Sequence, residues 1–443
     1  MVAEKECVVD KGQALYSKAK KLIPGGTGLL SKRPEMYLPD YWPCYYERAK
    51  GCEVIDIDGN SFLDFTTLGV GASILGYANE DVNSAAIKAL SSGNMTTLNA
   101  PEEVELAELL CDFHPWASKV KYARTGGEAC TIAIRIARAF TGKTKVAFCG
   151  YHGWHDWYLS VNLGKGDSLD GHLLPGLEPN GVPEGLSETT IPFKYNDIEA
   201  LKKIFHDNKG EIAGIIMEPI RNEEPDPDFL ESVRDLATKN NAVLIFDEIT
   251  AGWRELTSGM HMKYGVNPDI AVFGKTISNG FPMAAIIGVD PVMEAAQTTF
   301  ISSAYFTDRI GPATAMKTLQ IHKEINAGHI VSEMGKQVQK QWHAIANSHG
   351  LHLNIGGIPA LSHFSFDTQN TELMTLFIQK MLDKGFLVTN QFYPTIAHSN
   401  IHLNEYFEAF DSTFRHIASS LQAGNILEDI RGPLKHMGFS RLI

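Results

Sequence analysis

The sequence predicts an α/β fold, in which a large domain carries a mostly parallel β-sheet and a smaller α+β domain is built from both chain ends. Short, nearly continuous apolar runs alternate with helical patterns through the middle of the chain, and long helical patterns follow Gly311. Such short apolar strands are typical of a parallel sheet covered on both faces. The 443 residues suffice for two or three domains. We expect segment 1–60 to join the small domain, 61–311 to form the large domain and 312–443 to complete the small one.

The individual elements follow in order from the same periodicities. A helix is predicted at 11–22, and Asp58-Gly59 is a tight-turn dipeptide between the alternating apolar runs of a hairpin. A helical pattern begins near Asp81, and residues 164–192 are rich in Pro, Gly and Asp, which predicts a long surface loop. Strands are predicted at 120–123, 145–149, 213–217, 242–246, 270–273 and 284–288, and further helices at 129–140, 228–239, 312–325 and 330–348.

Composition excludes several classes of protein. Acidic side chains exceed basic ones by 52 − 39 = 13, and no Lys/Arg-rich block offsets this charge, so we expect no nucleic-acid partner and no membrane partner. No apolar stretch approaches the roughly 18 residues of a membrane span, and none resembles a signal peptide. The six cysteines form no CxxC pair, which indicates reduced thiols. These features predict a cytoplasmic protein.

Chemistry-bearing residues follow the predicted strands, at the edge where parallel α/β sheets bind ligands. After the first strand come Thr125, Gly126 and Gly127, and then a helix. Two glycines let a ligand approach the backbone closely, and the first N–H groups of a helix suit a phosphate. Gly-Gly is also common in tight turns that bind nothing, so both interpretations stay open at this point.

An aromatic and histidine-rich segment, YHGWHDW, follows the second strand. Tyr151 offers a flat ring that could stack on an aromatic ligand, or the segment could pack as an aromatic cluster at a domain edge. His152, His155 and Asp156 could suggest a metal site, as in a metallohydrolase. Nothing elsewhere repeats the spacing of a known metal motif, so we expect no metal.

A carboxylate and an amine follow two further strands. Asp247 ends an apolar run, where a desolvated carboxylate needs a cationic partner such as a protonated ring nitrogen, although Asp also commonly caps a helix. Lys275 ends another apolar run, and an amine in such a place can become nucleophilic towards an aldehyde. A lone lysine is usually just solvated. The four strand ends together indicate one composite site.

Further motifs run through nearly the whole chain: IPGGTG, EVIDIDGN, TGGEA, AIRIARAFTG, YHGWHD, IIMEPI, LIFDEITAGWR and PDIAVFGKTISNGFPMAAIIG. In these motifs the chain resembles the class III (omega-type) aminotransferases, which have PLP fold type I and use pyridoxal 5'-phosphate (PLP). Within that family it is similar to glutamate-1-semialdehyde aminomutase and its sugar-modifying relatives. The order and spacing of the motifs agree throughout, including the 275 − 247 = 28 residues from Asp247 to Lys275.

The resemblance implies a role for each strand-end residue. Lys275 would bind PLP covalently as a Schiff base and move the proton, and Asp247 would keep the ring nitrogen protonated. Thr307 would reach the phosphate bound in a partner subunit, which implies a homodimer with shared active sites. The other cofactor-binding residues would be Thr125, Gly126 and Gly127 at the phosphate, Tyr151 and Ile249 on the two ring faces, and His152 and Glu218.

Two departures from the family pattern affect these roles. The phosphate loop reads TGG at 125–127 where the family usually has SGT, so a side-chain hydroxyl contact has moved or is lost. The stretch at 309–311 reads RIG where SGN is common, which makes the alignment of Thr307 less secure.

The substrates follow from the resemblance alone. Glu223 lies where ornithine- and acetylornithine-type enzymes carry a glutamate that helps accommodate two substrates, which favours a transaminase over the aminomutase, an isomerase. The resemblance implies L-glutamate as donor and an aldehyde or ketone on a sugar as acceptor, such as an oxidised 3-deoxy-octulosonate for lipopolysaccharide or surface polysaccharide. Arg33, with Lys32 and Arg221 as further candidates, could bind a substrate carboxylate or be solvated surface charge. The aminomutase and a non-catalytic PLP-fold binding protein remain alternatives.

Overall fold

The computed structural model describes residues 10–164, 167–172, 175–220 and 222–438. Within these residues the strands form three sheets, of four, seven and three strands. The strands are β1 (Tyr46–Lys50), β2 (Glu53–Asp56), β3 (Ser61–Phe65), β4 (Lys119–Ala123), β5 (Lys145–Cys149), β6 (Thr190–Pro192), β7 (Ile212–Met217), β8 (Val243–Asp247), β9 (Ile270–Phe273), β10 (Ala284–Gly288), β11 (Leu353–Gly356), β12 (Ser362–Phe366), β13 (Phe386–Val388) and β14 (Gln391–Phe392).

Helices connect most of these strands, and the long ones fall where helical periodicity predicts them. The α-helices are α1 (Lys11–Leu22), α2 (Leu68–Gly71), α3 (Glu80–Ser91), α4 (Glu102–Phe113), α5 (Gly126–Thr141), α6 (Asp156–Leu159), α7 (Ile198–Asp207), α8 (Phe229–Lys239), α9 (His261–Tyr264), α10 (Asp290–Glu294), α11 (Ile310–Glu324), α12 (Ala327–Ser348), α13 (Asn370–Leu382) and α14 (Asn400–Ala423). Short 3₁₀ helices include Lys275–Ser278 and Ala304–Thr307.

The seven-stranded sheet has the order β4-β10-β9-β8-β7-β5-β6. The strands from β9 to β6 in this order run parallel to their neighbours, while β10 is antiparallel to both β4 and β9. All six predicted strands are present, which confirms the mostly parallel sheet. Strand β6 was not predicted: it lies inside the expected loop 164–192, and its three residues are too few to show a period.

Strand β8 shows why the sheet is covered on both faces. Successive side chains of a strand point to opposite sides. Val243 and Ile245 pack into the core formed with α5, whereas Leu244 and Phe246 pack into the core formed with α7 and α8. All four are at most 1% exposed. Burial on both sides explains why this strand is a continuous apolar run in the sequence.

The small domain joins the two ends of the chain. Strand β13 pairs in parallel with β3 and so extends the sheet of β1, β2 and β3. Phe65 of β3 stacks on Tyr406 of α14, with 4.3 Å between ring centroids, and Trp342 of α12 donates to the Tyr406 hydroxyl at 2.9 Å. These contacts confirm a small α+β domain built from both chain ends. The segment boundaries at 60 and 311 stay predictions.

Two further properties concern the described part of the chain as a whole. None of its helices is both long and apolar enough to span a bilayer. Its cysteines, at positions 44, 52, 111, 130 and 149, are all free. Cys7, which the sequence also predicts to be reduced, lies outside the described residues.

Candidate active site

Segments that follow separate strands meet at the carboxyl edge of the seven-stranded sheet, where open α/β folds bind ligands. Asp247 ends β8, His152 lies just beyond β5, and Lys275 lies just beyond β9. The start of α5 borders the same place, because a Cβ on Gly126 would lie 2.9 Å from Cδ1 of Ile249. The fold thus brings most of the predicted cofactor-binding residues into one group.

Asp247 is the buried centre of this group, with 2% of its surface exposed. Its Oδ1 accepts the Ile249 N–H at 3.0 Å, and its Oδ2 contacts Nδ1 of His152 at 2.7 Å and accepts from Sγ of Cys130 at 3.3 Å. Burial and the neighbouring carboxylate raise the pKa of the Cys130 thiol well above its ordinary value, so the thiol stays protonated and donates. A carboxylate held in this way is a suitable partner for a protonated ring nitrogen.

His152 is fixed at both of its ring nitrogens. Its Nε2 lies 2.9 Å from the Cys149 carbonyl oxygen, which can only accept a hydrogen bond, so Nε2 carries a proton and donates. Its Nδ1 is thereby directed at Asp247. His152 orients the carboxylate, whichever of the two groups holds the proton between them.

Cys130, His152 and Asp247 are also a group of potential metal ligands among the described residues. His155 and Asp156, the other members of the metal site considered from the sequence, do not belong to that group. In the described structure the Cys130 thiol donates to Oδ2 of Asp247, which also contacts Nδ1 of His152. The arrangement is that of a carboxylate oriented by hydrogen bonds.

Lys275 opens the turn after β9 with a φ of +44°, a left-handed conformation that is uncommon outside glycine. Its Nζ donates to Oγ1 of Thr250 at 2.8 Å. Conformations of this kind occur at functional sites, where the surrounding structure holds them. The amine and the Asp247 carboxylate lie on adjacent strands, since Asp247 is paired with Val272 in the register of β8 and β9.

Helix α5 presents its amino terminus to the same site. Thr125 is the N-cap: its Oγ1 accepts the Glu128 N–H at 3.4 Å, and Glu128 Oε2 accepts the Thr125 N–H at 3.0 Å. The N–H groups of Gly126 and Gly127 come first in the helix and have no acceptor within it. A Cβ at either glycine would lie 2.9 Å from a neighbouring side chain. A side chain at either position would therefore displace a neighbouring one, and the turn leaves two N–H groups for an anion.

Tyr151 and Ile249 flank the group from two different segments. Both side chains are partly buried against the core that α5 forms with the sheet. The Tyr151 ring meets that of Tyr158 edge-on, with 6.1 Å between centroids. Their roles on the two faces of a cofactor ring stay predictions.

Three other predicted residues lie at the edge of the group. Thr307 is exposed, and its Oγ1 donates to the Ala304 carbonyl at 2.8 Å. Glu218 is buried next to Gly150, and together with Glu223 it lines a cavity of about 330 Å³. The roles of Thr307, Glu218 and Glu223 stay predictions.

The candidate carboxylate-binding residues separate in space. Lys32 lines a cavity of about 620 Å³ that is also bordered by residues 279–281, just after the Lys275 turn. The guanidinium of Arg33 lies against Gly25 instead. Arg221 lies outside the described residues. The assignment of Arg33 to a substrate stays a prediction.

Two residues of the group were not identified from the sequence. Thr250 lies three positions after Asp247, and its contact with Lys275 joins residues 25 positions apart. Cys130 lies on the buried face of α5, which helical periodicity could have shown. Nothing in the sequence indicates that this face meets Asp247, 117 residues away.

These residues fit PLP group by group. Asp247 suits the ring nitrogen, the Gly126–Gly127 turn suits the phosphate, and the amine of Lys275 suits the aldehyde. When bound, PLP supplies an electron sink for chemistry at an amino-bearing carbon. Asp247 and the Gly126–Gly127 turn would orient that ring, and Lys275 would supply an amine that can carry a proton.

Known proteins of one family are similar to this chain over most of its length. The family model described as Aminotransferase class-III matches residues 37–412. The 3-aminobutyryl-CoA aminotransferase of Cloacimonas acidaminovorans is 31% identical over 93% of this chain and 94% of the relative. The glutamate-1-semialdehyde 2,1-aminomutase of Methanocaldococcus jannaschii is 31% identical over 92% of this chain and 98% of the relative.

The fold also matches solved structures. The PLP form of the FumI protein from Sphingopyxis sp. MTA144 superposes with a TM-score of 0.84 at 23% identity, covering 93% of this chain and 97% of that one. This likeness confirms PLP fold type I, and the family match confirms the prediction of an enzyme with PLP as its cofactor. The chain belongs to the class III aminotransferases, which are PLP-dependent transaminases.

Proposed function

We propose that this aminotransferase moves an amino group from L-glutamate to an aldehyde or ketone on a small, sugar-derived acceptor. Our specific candidate is an oxidised 3-deoxy-octulosonate, which would make the enzyme an 8-amino-3,8-dideoxy-manno-octulosonate transaminase of lipopolysaccharide or surface polysaccharide synthesis. The observation that carries the proposal is the lining of the cavity of about 620 Å³ beside the Lys275 turn, here called the hydroxyl-rich cavity.

The hydroxyl-rich cavity has the chemistry of a carbohydrate site. Hydroxyl and amide side chains can both donate to and accept from sugar hydroxyls, while aromatic rings cover the apolar faces of a sugar ring. Its volume lies within the usual range for small-molecule sites. The hydroxyl and amide side chains in the lining are Ser31, Tyr37, Tyr45, Tyr46, Thr66, Thr67, Ser73, Tyr77, Asn83 and Asn279.

One cation in the lining of this cavity could bind a single acidic group on the acceptor. Lys32 is the single Lys or Arg among the described lining residues, and it has no ion pair within the described chain. The carboxylates of Asp56 and Asp64 also line the cavity, but each is already held by its own neighbours. Asp64 accepts from the Tyr77 hydroxyl at 2.7 Å, and Asp56 accepts two N–H groups of Asn60, at 2.8 and 2.9 Å. Lys32 is left to bind a substrate carboxylate.

The same amine serves both halves of the proposed reaction. Lys275 would take the proton from the amino-bearing carbon of the donor and return it in the acceptor half-reaction. Proton transfer by a positioned side chain typically contributes about 10²–10⁴-fold. Glu223, which lines the separate cavity of about 330 Å³, would help the site accept two substrates in turn.

We further propose a homodimer with shared active sites, in which Thr307 contributes to the partner's phosphate site. Large apolar side chains are exposed on the segment before Thr307 and elsewhere: Phe300 is 90% exposed, Tyr305 70%, and Leu98 81%. Such side chains mark interaction surfaces when they occur together. Mixing inactive Lys275→Ala and Thr307→Ala subunits tests the shared site, because a heterodimer would regain one intact site and part of the activity. No regain of activity in a verified heterodimer would exclude sharing.

We also propose a cytoplasmic location, in keeping with the free cysteines of the described chain. Fractionation of the native host tests this directly. Recovery with the cytoplasmic fraction supports the proposal, and recovery outside it contradicts the proposal.

The acceptor proposal is tested by loading the enzyme with L-glutamate and then supplying carbonyl compounds. An acidic sugar aldehyde should give the highest kcat/KM, with the aminated product identified by mass spectrometry. Lys32→Met should raise the KM for that acceptor while leaving the glutamate half-reaction unchanged, and Lys18→Met, on the exposed face of α1, is the matched control. Conversion of glutamate-1-semialdehyde without an added donor would instead establish the aminomutase. Preference for an acyl-CoA carbonyl would also contradict a sugar acceptor.

A further inference from the structure

Gly127 and Gly153 bring two loops into direct contact at the start of α5. A Cβ on Gly153 would lie 2.8 Å from Cα of Gly127, and Gly153 has a φ of +101°, which side chains rarely adopt. A Cβ on Gly127 would lie 2.9 Å from Cε1 and from Nδ1 of His155. Glycine at both positions therefore lets the His155 ring occupy the space that a side chain at 127 would need.

The His155 ring is held in place but has an unsatisfied polar atom. It stacks on Trp154, with 4.6 Å between ring centroids and 19° between planes. Its Nδ1 is buried and has no hydrogen-bond partner in the described structure. Burial lowers the pKa of His155, although Glu128 and Asp156 act in the opposite direction, so the ring is neutral at pH 7 and can carry its proton on Nδ1. A buried donor without an acceptor is unfavourable, so Nδ1 lacks a partner that a ligand oxygen could supply.

The other polar groups at the start of α5 indicate the charge of a ligand that would fit there. The N–H groups of Gly126 and Gly127 have no acceptor within α5. The Thr125 Oγ1 accepts the Glu128 N–H, and its own O–H can still donate to an anion. Arg124 is turned away, since it donates to the Asp308 carboxylate and, at 3.0 Å, to the Phe306 carbonyl. An anion at this position would meet two backbone donors and the imidazole of His155.

We propose that His155 binds the phosphate of PLP, with Nδ1–H donating to a phosphate oxygen beside the N–H groups of Gly126 and Gly127. The imidazole then supplies the side-chain donor that glycine at 127 cannot. The inference rests on the cofactor and on the geometry of the α5 turn. It is independent of the acceptor proposed above, because it is measured with no amino donor or acceptor present.

The test compares PLP with pyridoxal, which lacks the phosphate, in titrations of the apo-protein. Both ligands can react with Lys275, so the ratio of their Kd values isolates the phosphate. His155→Phe keeps a ring against Trp154 but has no donor. It should raise the Kd for PLP roughly 10- to 100-fold and change the Kd for pyridoxal less than about threefold. His206→Phe, at an exposed histidine of α7, is the control and should change neither value.

Two further variants separate phosphate binding from folding. His155→Asn keeps a side-chain donor and should recover part of the affinity for PLP. Gly127→Ser in a His155→Ala background should also recover affinity, because the ring that would collide with the new side chain is gone and a hydroxyl replaces its donor. Pyridoxal binding reports that each variant is folded. A His155→Phe protein with the wild-type Kd ratio, or one that loses PLP and pyridoxal equally, would overturn the inference.

Discussion

His152 Nδ1 lies 2.7 Å from Oδ2 of Asp247, while Nε2 of the same ring donates to the Cys149 carbonyl. The Cys149 carbonyl binds Nε2, so the His152 ring can face the Asp247 carboxylate only with Nδ1. Both side chains are almost fully buried. The carboxylate that we predict to meet the cofactor's ring nitrogen is therefore oriented by the protein alone.

Substitutions of His152 and Asp247 should have non-additive effects on the free energy of unfolding of the apo-protein. His152→Phe leaves a buried carboxylate without its main partner, and such losses cost about 3–5 kcal/mol. Asp247→Asn should also destabilise, and the double variant should lose less than the sum of the two single variants. Urea unfolding of the four proteins measures this cycle. Simple additivity would show that the contact contributes no coupling energy.

Thr250 should act on the chemical step through Lys275. Thr250→Val removes the hydroxyl that accepts from Nζ at 2.8 Å, and we expect kcat to fall roughly tenfold with little change in KM. Thr250→Ser keeps the hydroxyl and is the matched variant, expected to stay near wild type. A pH titration of the cofactor absorbance should shift in Thr250→Val alone. Equal losses in the valine and serine variants would indicate a packing role instead.

The side chain of Ile249 should restrict which residues can replace Gly126. In Gly126→Ala the new Cβ would lie 2.9 Å from Cδ1 of Ile249, so PLP affinity should drop by up to about tenfold as the Ile249 side chain is displaced. Adding Ile249→Val removes Cδ1 and should restore much of that affinity. Gly185→Ala, where no atom lies within 4 Å of the added Cβ, should behave like wild type. If the valine substitution gave no recovery, the steric explanation would be wrong.

His398 should make stability depend on pH. Burial lowers its pKa from 6.5 to about 4, so the folded protein binds fewer protons than the unfolded chain between these values. Above pH 6.5 the neutral His398 ring costs the folded protein nothing relative to the unfolded chain. As the pH falls from 6.5 towards 4, the free energy of unfolding decreases by about 3 kcal/mol because only the unfolded chain takes up the proton. His398→Gln should flatten this slope in urea titrations at several pH values. His206→Gln, at an exposed histidine, should keep the slope, and an unchanged slope in His398→Gln would refute the assignment.

The sequence was most informative about the large domain. Strands such as β8 are buried on both faces and so appear as unbroken apolar runs. The residues that end these runs, Asp247 and Lys275, can therefore be recognised from the order of the amino acids alone. The same reasoning cannot find β6, whose short run owes its strand conformation to pairing with β5.

Contacts between segments that are far apart in the chain could not be predicted from the sequence. The Cys130 thiol meets Asp247 across 117 residues, and the His155 ring lies over Gly127 because two loops cross at glycines. From the sequence His155 is considered only as a metal ligand, together with His152 and Asp156. Its neighbour in space is the start of a helix, where an anion is favoured over a cation.

The most direct test of the account is the absorbance of the purified protein before and after L-glutamate, repeated on Lys275→Ala. We predict a band at about 420 nm from cofactor bound to Lys275, which glutamate converts to one at about 330 nm. Lys275→Ala should bind PLP without forming the first band. A wild-type protein that shows no cofactor band after incubation with PLP, or a Lys275→Ala variant that still forms it, would contradict the assignment of Lys275.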